Sequence, residues 1–308
     1  MAKASVIGSA LGLITSLPLY YLFGTKGIVP AMIISAFTGL ILSWYFSHKI
    51  RIDNTESTLK DTFSHGLGMA KLGIFMTIAG FVTTLSSYIL NSFISNRSGV
   101  EEVGLYNAGW GVVGQYTSII FTAMATDYFP SISAVYDDND KVNELVRQQS
   151  ETALLIMTPL LALLIVTMPL VVRILYTPAF LPIVMFANLT VLGMQFKAIS
   201  WAMGYVYLAK GDGKLFLTME VLSGGFTIIL NLLLYFLYGL EGLGISFILS
   251  FLVSMIFSYF VLKWKYGFSL PSGFIKKFLI AYMLVFTSFL TVFIRFSVWR
   301  YVFGGFVL

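Results

Sequence analysis

Apolar runs of about twenty residues recur along the whole chain, and two of them are copies of one another. The runs GTKGIVPAMIISAFTGLILSWYF and GLEGLGISFILSFLVSMIFSYFV begin at Gly24 and Gly239, 215 positions apart. Gly24 and Gly27 align with Gly239 and Gly242. Further in, Ile33 aligns with Ile248, Ser35 with Ser250, Ile41 with Ile256 and Ser43 with Ser258. Each copy is a tight Gly-x-x-Gly turn leading into a segment long enough to cross a bilayer. A repeat of this length in so apolar a chain implies two related helical bundles, an architecture common among transporters. The first copy lies close to Met1, so the first bundle is expected to be incomplete here.

Composition supports the membrane class. Only 11% of the residues are charged and the mean hydropathy is +0.88, against about 25% charged in a soluble domain. The apolar runs are continuous rather than alternating, which excludes a β-barrel and leaves an all-α polytopic membrane protein. With no cysteine, disulfides and thiolate-held metals are ruled out. The two histidines, His48 and His65, fall in one polar loop, so no metal site and no cofactor is expected. The net charge of +5 does not point to nucleic acid, because the basic residues cluster in loops, where they set membrane topology.

Nine spans are predicted: 5–23, 28–46, 72–95, 104–130, 152–173, 182–207, 216–237, 243–262 and 278–296. The apolar tail from Trp299 to Leu308 reads as the start of a further span. Thirteen of the 19 Lys and Arg lie on the side of the N-terminus, and five lie opposite: Lys26, Arg97, Arg173, Arg295 and Arg300. The N-terminal side is therefore expected to be cytoplasmic. Spans one and two match spans seven and eight, giving a six-helix period, so four helices would precede Met1 in a complete first lobe. The expected organisation is 1–47 as the last two helices of the N-terminal lobe and 48–71 as a cytoplasmic linker between lobes. A C-terminal six-helix lobe follows over 72–262, then an additional helix and the start of another over 263–308. The polar stretch 137–151 is predicted to be a short helix entering the fifth span.

Several short stretches, taken in order, carry a resemblance. They are Gly104-Leu105-Tyr106-Asn107-Ala108-Gly109-Trp110, Asp127-Tyr128-Phe129-Pro130, Gln148-Gln149, Ile174-Leu175-Tyr176, Lys197-Ala198-Ile199-Ser200-Trp201, Ala209-Lys210-Gly211 and Gly242-Leu243-Gly244-Ile245-Ser246. Together they resemble the O-antigen and polysaccharide repeat-unit flippases of the multidrug/oligosaccharidyl-lipid/polysaccharide exporter superfamily. The resemblance implies two six-helix lobes around a central cavity. It also implies alternating-access transfer of undecaprenyl-pyrophosphate-linked sugar units across the bacterial inner membrane, from the cytoplasmic to the periplasmic leaflet. The partners it implies are the lipid-linked oligosaccharide, membrane lipid, a polysaccharide polymerase and a chain-length regulator, with H+ or Na+ as coupling ion.

Lys197 is the leading site candidate. It falls about 22 Å along the sixth span at 1.5 Å per residue, a depth where a charge is costly unless it faces water or a partner. One reading makes it a cavity cation that attracts pyrophosphate; the other lets it snorkel to the cytoplasmic surface. Asp127, at similar depth before a Phe129-Pro130 helix stop, can pair with Lys197, bind a coupling proton or face interfacial water. Glu220 reads either as a helix N-terminal carboxylate or as a transport residue. Among the amides Asn91, Asn107, Gln115, Asn188, Gln195 and Asn231, the deepest are Gln115 and Asn231, which are expected to line a cavity. Tyr106, Trp110, Tyr176, Trp201 and Tyr205 can stack on sugars or serve as belts and packing, and Trp201 is taken with Lys197 as a cavity candidate. Pro159, Pro169 and Pro182 are placed to kink or cap the helices that carry them.

Two other functions compete. A cation-coupled multidrug exporter of the same superfamily would need a carboxylate deep in a lobe. A membrane enzyme of polysaccharide synthesis would need a large periplasmic loop or a cluster of acids and bases. Neither pattern is present, and no enzyme activity is expected.

Overall fold

The computed structural model describes residues 2–47, 59–270 and 272–293, and these are almost entirely helical. In order they form α1 (Ala2–Phe23), a 3-10 turn (Gly24–Gly27), α2 (Ile28–Ser47), α3 (Leu59–Ser98), α4 (Val100–Ser133) and α5 (Asn139–Leu175). A short 3-10 turn (Pro178–Phe180) leads to α6 (Ile183–Ala209), then α7 (Gly213–Tyr266), α8 (Ser272–Leu290) and a last 3-10 turn (Thr291–Phe293). The chain divides into two compact units, Met1–Ser64 and His65–Leu308, with the division inside α3. Residues 48–58 of the expected linker, and the tail 299–308, lie outside the described residues. From Leu59 onward the linker is helix, continuous with α3.

The unbroken length of α7 cannot be straight. A 54-residue helix would reach about 80 Å, against a hydrocarbon core of about 30 Å. It folds back at Gly239, where φ is +62° and ψ −142°, a region open essentially only to glycine. This gives two arms, α7a (213–238) and α7b (240–266). Three residues on, the backbone at Gly242 runs so close to the Leu234 carbonyl that a Cβ would fall on the oxygen. The first unit repeats the device: Gly24 has φ +53°, and a Cβ on Gly27 would fall on the Leu19 carbonyl oxygen. Leu19 and Leu234 are themselves 215 residues apart, so the sequence repeat is a repeat of backbone geometry.

Among the described residues, five helical segments are long and apolar enough to cross a membrane: Ala70–Ser98, Asn139–Leu175, Ile183–Ala209, Gly213–Tyr266 and Gly273–Phe293. The broken α7 accounts for two predicted spans, and α1 and α2 supply two shorter apolar helices. The predicted span 104–130 is a helix of ample length within α4, but it is not among the five. Gly104, Asn107, Gly109, Gly111, Gly114 and Gln115 dilute its apolar character. The Pro130 stop is also corrected. Helix α4 runs to Ser133, because a proline one turn from the end removes only one hydrogen bond, and the Ala134 N–H still closes on the Pro130 carbonyl.

Within the second unit, α6 is the hub and packs against α4, α5, α7 and α8. Its apolar window is 72% buried, against 6% for Ala70–Ser98 of α3. Burial of α6 depends on close approach. A Cβ on Gly193 would come within 3.2 Å of the Ile248 backbone on α7b, and one on Gly244 would come within 2.6 Å of Leu189. Small residues at such crossings let dispersion contacts hold helices together where the surrounding lipid offers no hydrophobic drive.

The basic ends are tied by polar contacts. Asp138 caps α5 by accepting from the Asp140 and Lys141 N–H groups, so the predicted polar helix over 137–151 is the first part of α5. Lys277 pairs with Glu151 at 2.7 Å and ties α8 to α5. Asp212 caps α7 and accepts from Lys265 and from the Tyr266 hydroxyl. Burial alone would raise the Asp212 carboxyl. The Lys265 ammonium, the Leu215 N–H and the Tyr266 hydroxyl outweigh it and hold the group below the usual carboxylate range.

Candidate functional site

Between α3, α4, α6 and the two arms of α7 lies a cavity of two adjoining compartments, of about 440 Å3 and about 310 Å3. Lys197, Glu220, Ser223 and Phe251 line both, so they form the waist. The larger compartment opens toward the lysine-rich end, past Trp201, Tyr205 and Tyr207. The smaller runs the other way, past Tyr106, Trp110 and Asn231.

Helix geometry places these groups. The outward side of α6 carries Lys197, Ser200, Trp201, Gly204, Tyr205 and Leu208 along the larger compartment, positions that recur every three or four residues. The opposite side holds Ala198, Ile199, Ala202 and Met203 in the core. Lys197 therefore stays in the cavity rather than snorkelling. Its ammonium nitrogen is 5.7 Å from the Trp110 ring centroid and 5.2 Å from that of Phe251. Its electrostatic partner is Glu220, across the same space. No carboxylate oxygen approaches it within ion-pair distance among the described residues, so the two charges face each other across an open cavity.

Asp127 is not the partner. It is exposed on α4 and does not line the cavity. Its depth matches that of Lys197, but its direction around the helix does not. Glu220 is not a helix-terminal carboxylate either. Because α7 begins at Gly213, Glu220 sits two turns inside, beyond the reach of the helix dipole. Gln115 is exposed on α4 and lies outside the cavity lining, which corrects its expected place. Asn231 does line the smaller compartment, and it accepts a hydrogen bond from the Ser246 hydroxyl on the other arm. Trp201 lines the larger one, packed against Phe121, Tyr128 and Tyr205 with centroids 4.9–5.9 Å apart.

Three of the remaining amides, Asn91, Asn107 and Gln195, tie helices together. Asn107 donates to Asn91 at 3.1 Å and Gln195 to Thr158 at 3.0 Å. Asn188 is wholly buried with neither polar atom partnered. Pro159 and Pro169 lie inside α5, and Pro182 caps α6. No group of three or more acids or histidines close enough to hold a metal occurs among the described residues.

Sequence reasoning missed Phe251, Ser223 and Ser254. The two serine hydroxyls are 2.5 Å apart and join α7a to α7b beside Glu220. The repeat gave no signal for Phe251, because its counterpart 215 residues earlier is Ala36. Chemically, the waist offers one cation, one anion, hydroxyls and aromatic faces. That set can hold a phosphate oxygen and stack on sugar rings.

The profile of a family described as "Polysaccharide biosynthesis protein" matches residues 1–185. No curated protein matches the chain. Several solved structures share the fold. The "Lipid II flippase MurJ, inward closed conformation" is similar with TM-score 0.65 and 16% identity, over 97% of this chain and 64% of that one. An "Outward-facing conformation of a multidrug resistance MATE family transporter of the MOP superfamily" gives TM-score 0.72 and 16% identity, over 86% of this chain and 62% of that one. A MATE structure "in the straight conformation" gives 0.71 and 15% over the same shares. The chain thus has the helical fold of these transporters and spans under two thirds of their length.

Proposed function

Since the chain belongs to the polysaccharide biosynthesis protein family, we propose that it is part of a flippase for lipid-linked oligosaccharide. The observation that carries this reading is Lys197, a cation held inside a cavity between aromatic rings. An ammonium lining the cavity suits the phosphate of a polyprenyl-linked sugar, and Trp201 and Tyr205 offer faces for sugar rings. The proposed substrate is an undecaprenyl-pyrophosphate-linked O-antigen or polysaccharide unit, carried outward across the bacterial inner membrane. The protein moves substrate without changing it, so no enzymatic step is assigned. Residues 1–47 would close one lobe and 72–262 form the other, joined by 48–71, with 263–308 added at the end. Coupling to H+ or Na+, and handover to a polysaccharide polymerase and a chain-length regulator, belong to the same proposal.

The test is surface polysaccharide in cells carrying single changes at the chromosomal locus, with membrane abundance measured alongside. Lys197→Arg should keep most export, while Lys197→Ala and Lys197→Glu should lose at least about 90% of it, the order of effect when a charged contact of 1.5–3 kcal/mol is removed. Wild-type export from Lys197→Ala at normal abundance would overturn the reading.

A further inference from the structure

Trp110 and Phe251 present their rings to one point in the cavity, and Glu220 faces the same space. Aromatic faces within about 6 Å of a cation attract it through the ring quadrupole, Trp most strongly. A carboxylate beside them adds charge complementarity. Two rings and an acid around one point form a receptor for an ammonium ion. Here the occupant is the protein's own Lys197 ammonium.

The walls do not depend on the lysine. Trp110 stacks on Phe247 with centroids 4.7 Å apart and planes 24° apart, and Phe247 stacks in turn on Phe251 at 5.8 Å. Phe247 is 5% exposed, so a buried ring fixes both walls. Without the Lys197 side chain the cage would remain, in a cavity of several hundred Å3 that admits a trimethylammonium group.

We propose that Trp110, Phe251 and Glu220 form an organic-cation site that Lys197 occupies, making Lys197 the residue that shuts cations out of this lobe. A tethered ammonium acts as an intramolecular competitor at an effective concentration in the millimolar range or above, so a free cation competes poorly. The same side chain that offers a positive charge to an anionic substrate thereby denies the cavity to cationic ones. Selectivity between the two classes then rests on one side chain. The inference shares its cavity with the flippase reading, but its readout is binding rather than export, so each can fail alone.

The experiment is calorimetric titration of the purified full chain in detergent with benzyltrimethylammonium chloride. Wild type and Lys197→Arg should bind weakly, because both keep a cation in the cage. Lys197→Met and Lys197→Gln, two ways of vacating it, should bind at least about tenfold tighter, the scale of a desolvated cation–π contact. Lys197→Met/Glu220→Gln and Lys197→Met/Phe251→Ala should fall back toward wild type. Monodispersity in size exclusion accompanies each titration. Equal binding by wild type and both vacated variants overturns the proposal, as does a tightened Lys197→Met that keeps its affinity when Glu220 and Phe251 are changed.

Discussion

The two copies of the Gly-x-x-Gly turn share a backbone and differ in what they hold. In the first unit, Ser16, Tyr20, Ala31, Met32, Ser35 and Ala36 line a shallow recess. Adding 215 to each gives Asn231, Tyr235, Ser246, Phe247, Ser250 and Phe251. Three of those, Asn231, Phe247 and Phe251, line the smaller compartment of the cavity. Where the first copy has Met32 and Ala36, the second has Phe247, the ring that backs the cage, and Phe251, one of its walls. Where the first has Ser16 bonded to its own helix at the Gly12 carbonyl, 2.6 Å away, the second has Asn231 bonded across the two arms. The turn is thus a scaffold common to both units, and the side chains on it are free to specialise.

The comparison breaks first at the closely packed glycines. Gly27→Ala and Gly242→Ala each place a methyl on a carbonyl oxygen eight residues earlier. Backbone cannot swing aside as a side chain can, so each turn must reopen. Each change should cost at least about 3 kcal/mol, read as lower melting temperature in detergent and lower membrane abundance. Comparable losses at both positions support one shared device. Full tolerance at Gly27 with collapse at Gly242 would confine the device to the second unit.

A smaller effect belongs to Gly24 and Gly239. No atom lies within 4 Å of a Cβ built on either, so the whole cost of alanine is the positive φ of +53° and +62°. That amounts to about 1–3 kcal/mol. The same melts should rank Gly239→Ala and Gly24→Ala between the close-approach alanines and wild type. If Gly239→Ala matches wild type, the fold-back of α7 does not depend on that backbone angle.

How much of this was legible beforehand follows from what a one-dimensional pattern carries. The repeated glycines announced the turn, because both requirements, a positive φ and a missing Cβ, can be met only by glycine. Hydropathy located the helices, and the rise per residue gave the depth of Lys197. Depth says nothing about direction around a helix in a bundle whose packing is unknown. For that reason Asp127 looked like a partner for Lys197 while Glu220 is the group across the cavity, and Gln115 looked like lining while it faces away. The start of α3 was hidden because Lys60, Asp61 and His65 make its first turns read as loop, although polar residues are ordinary where a helix extends beyond the apolar core. Phe251 was one of 28 phenylalanines in a chain where aromatic packing is the usual role, and only the fold singled it out.

The mildest contrast is between Asn231 and its counterpart Ser16. Ser16→Ala removes a bond inside one helix and should leave stability unchanged within about 0.5 kcal/mol. Asn231→Ala removes a bond between two arms, but the cost is limited for a visible reason. The Ser246 hydroxyl that donates to Asn231 also has the Leu243 carbonyl at 2.8 Å, so it keeps a partner when the amide is gone. A loss of about 0.6 kcal/mol, the average for polar contacts between membrane helices, is expected in thermal melts. Ser246→Ala separates the structural part from any contact with substrate. It breaks the same bond while leaving the Asn231 amide in the cavity wall. If Asn231 only ties the arms, the two alanines should lower stability alike and leave export alike. If the amide also bonds a sugar hydroxyl, Asn231→Ala should reduce export several-fold more than Ser246→Ala at equal stability. The converse change sharpens the comparison. Ser16→Asn with Ala31→Ser writes the second copy's clamp into the first, and a shared backbone should accept it with a gain of a few tenths of a kcal/mol. A loss of more than about 1 kcal/mol would mean that α1 and α2 do not approach as α7a and α7b do, and that the likeness ends at the turn.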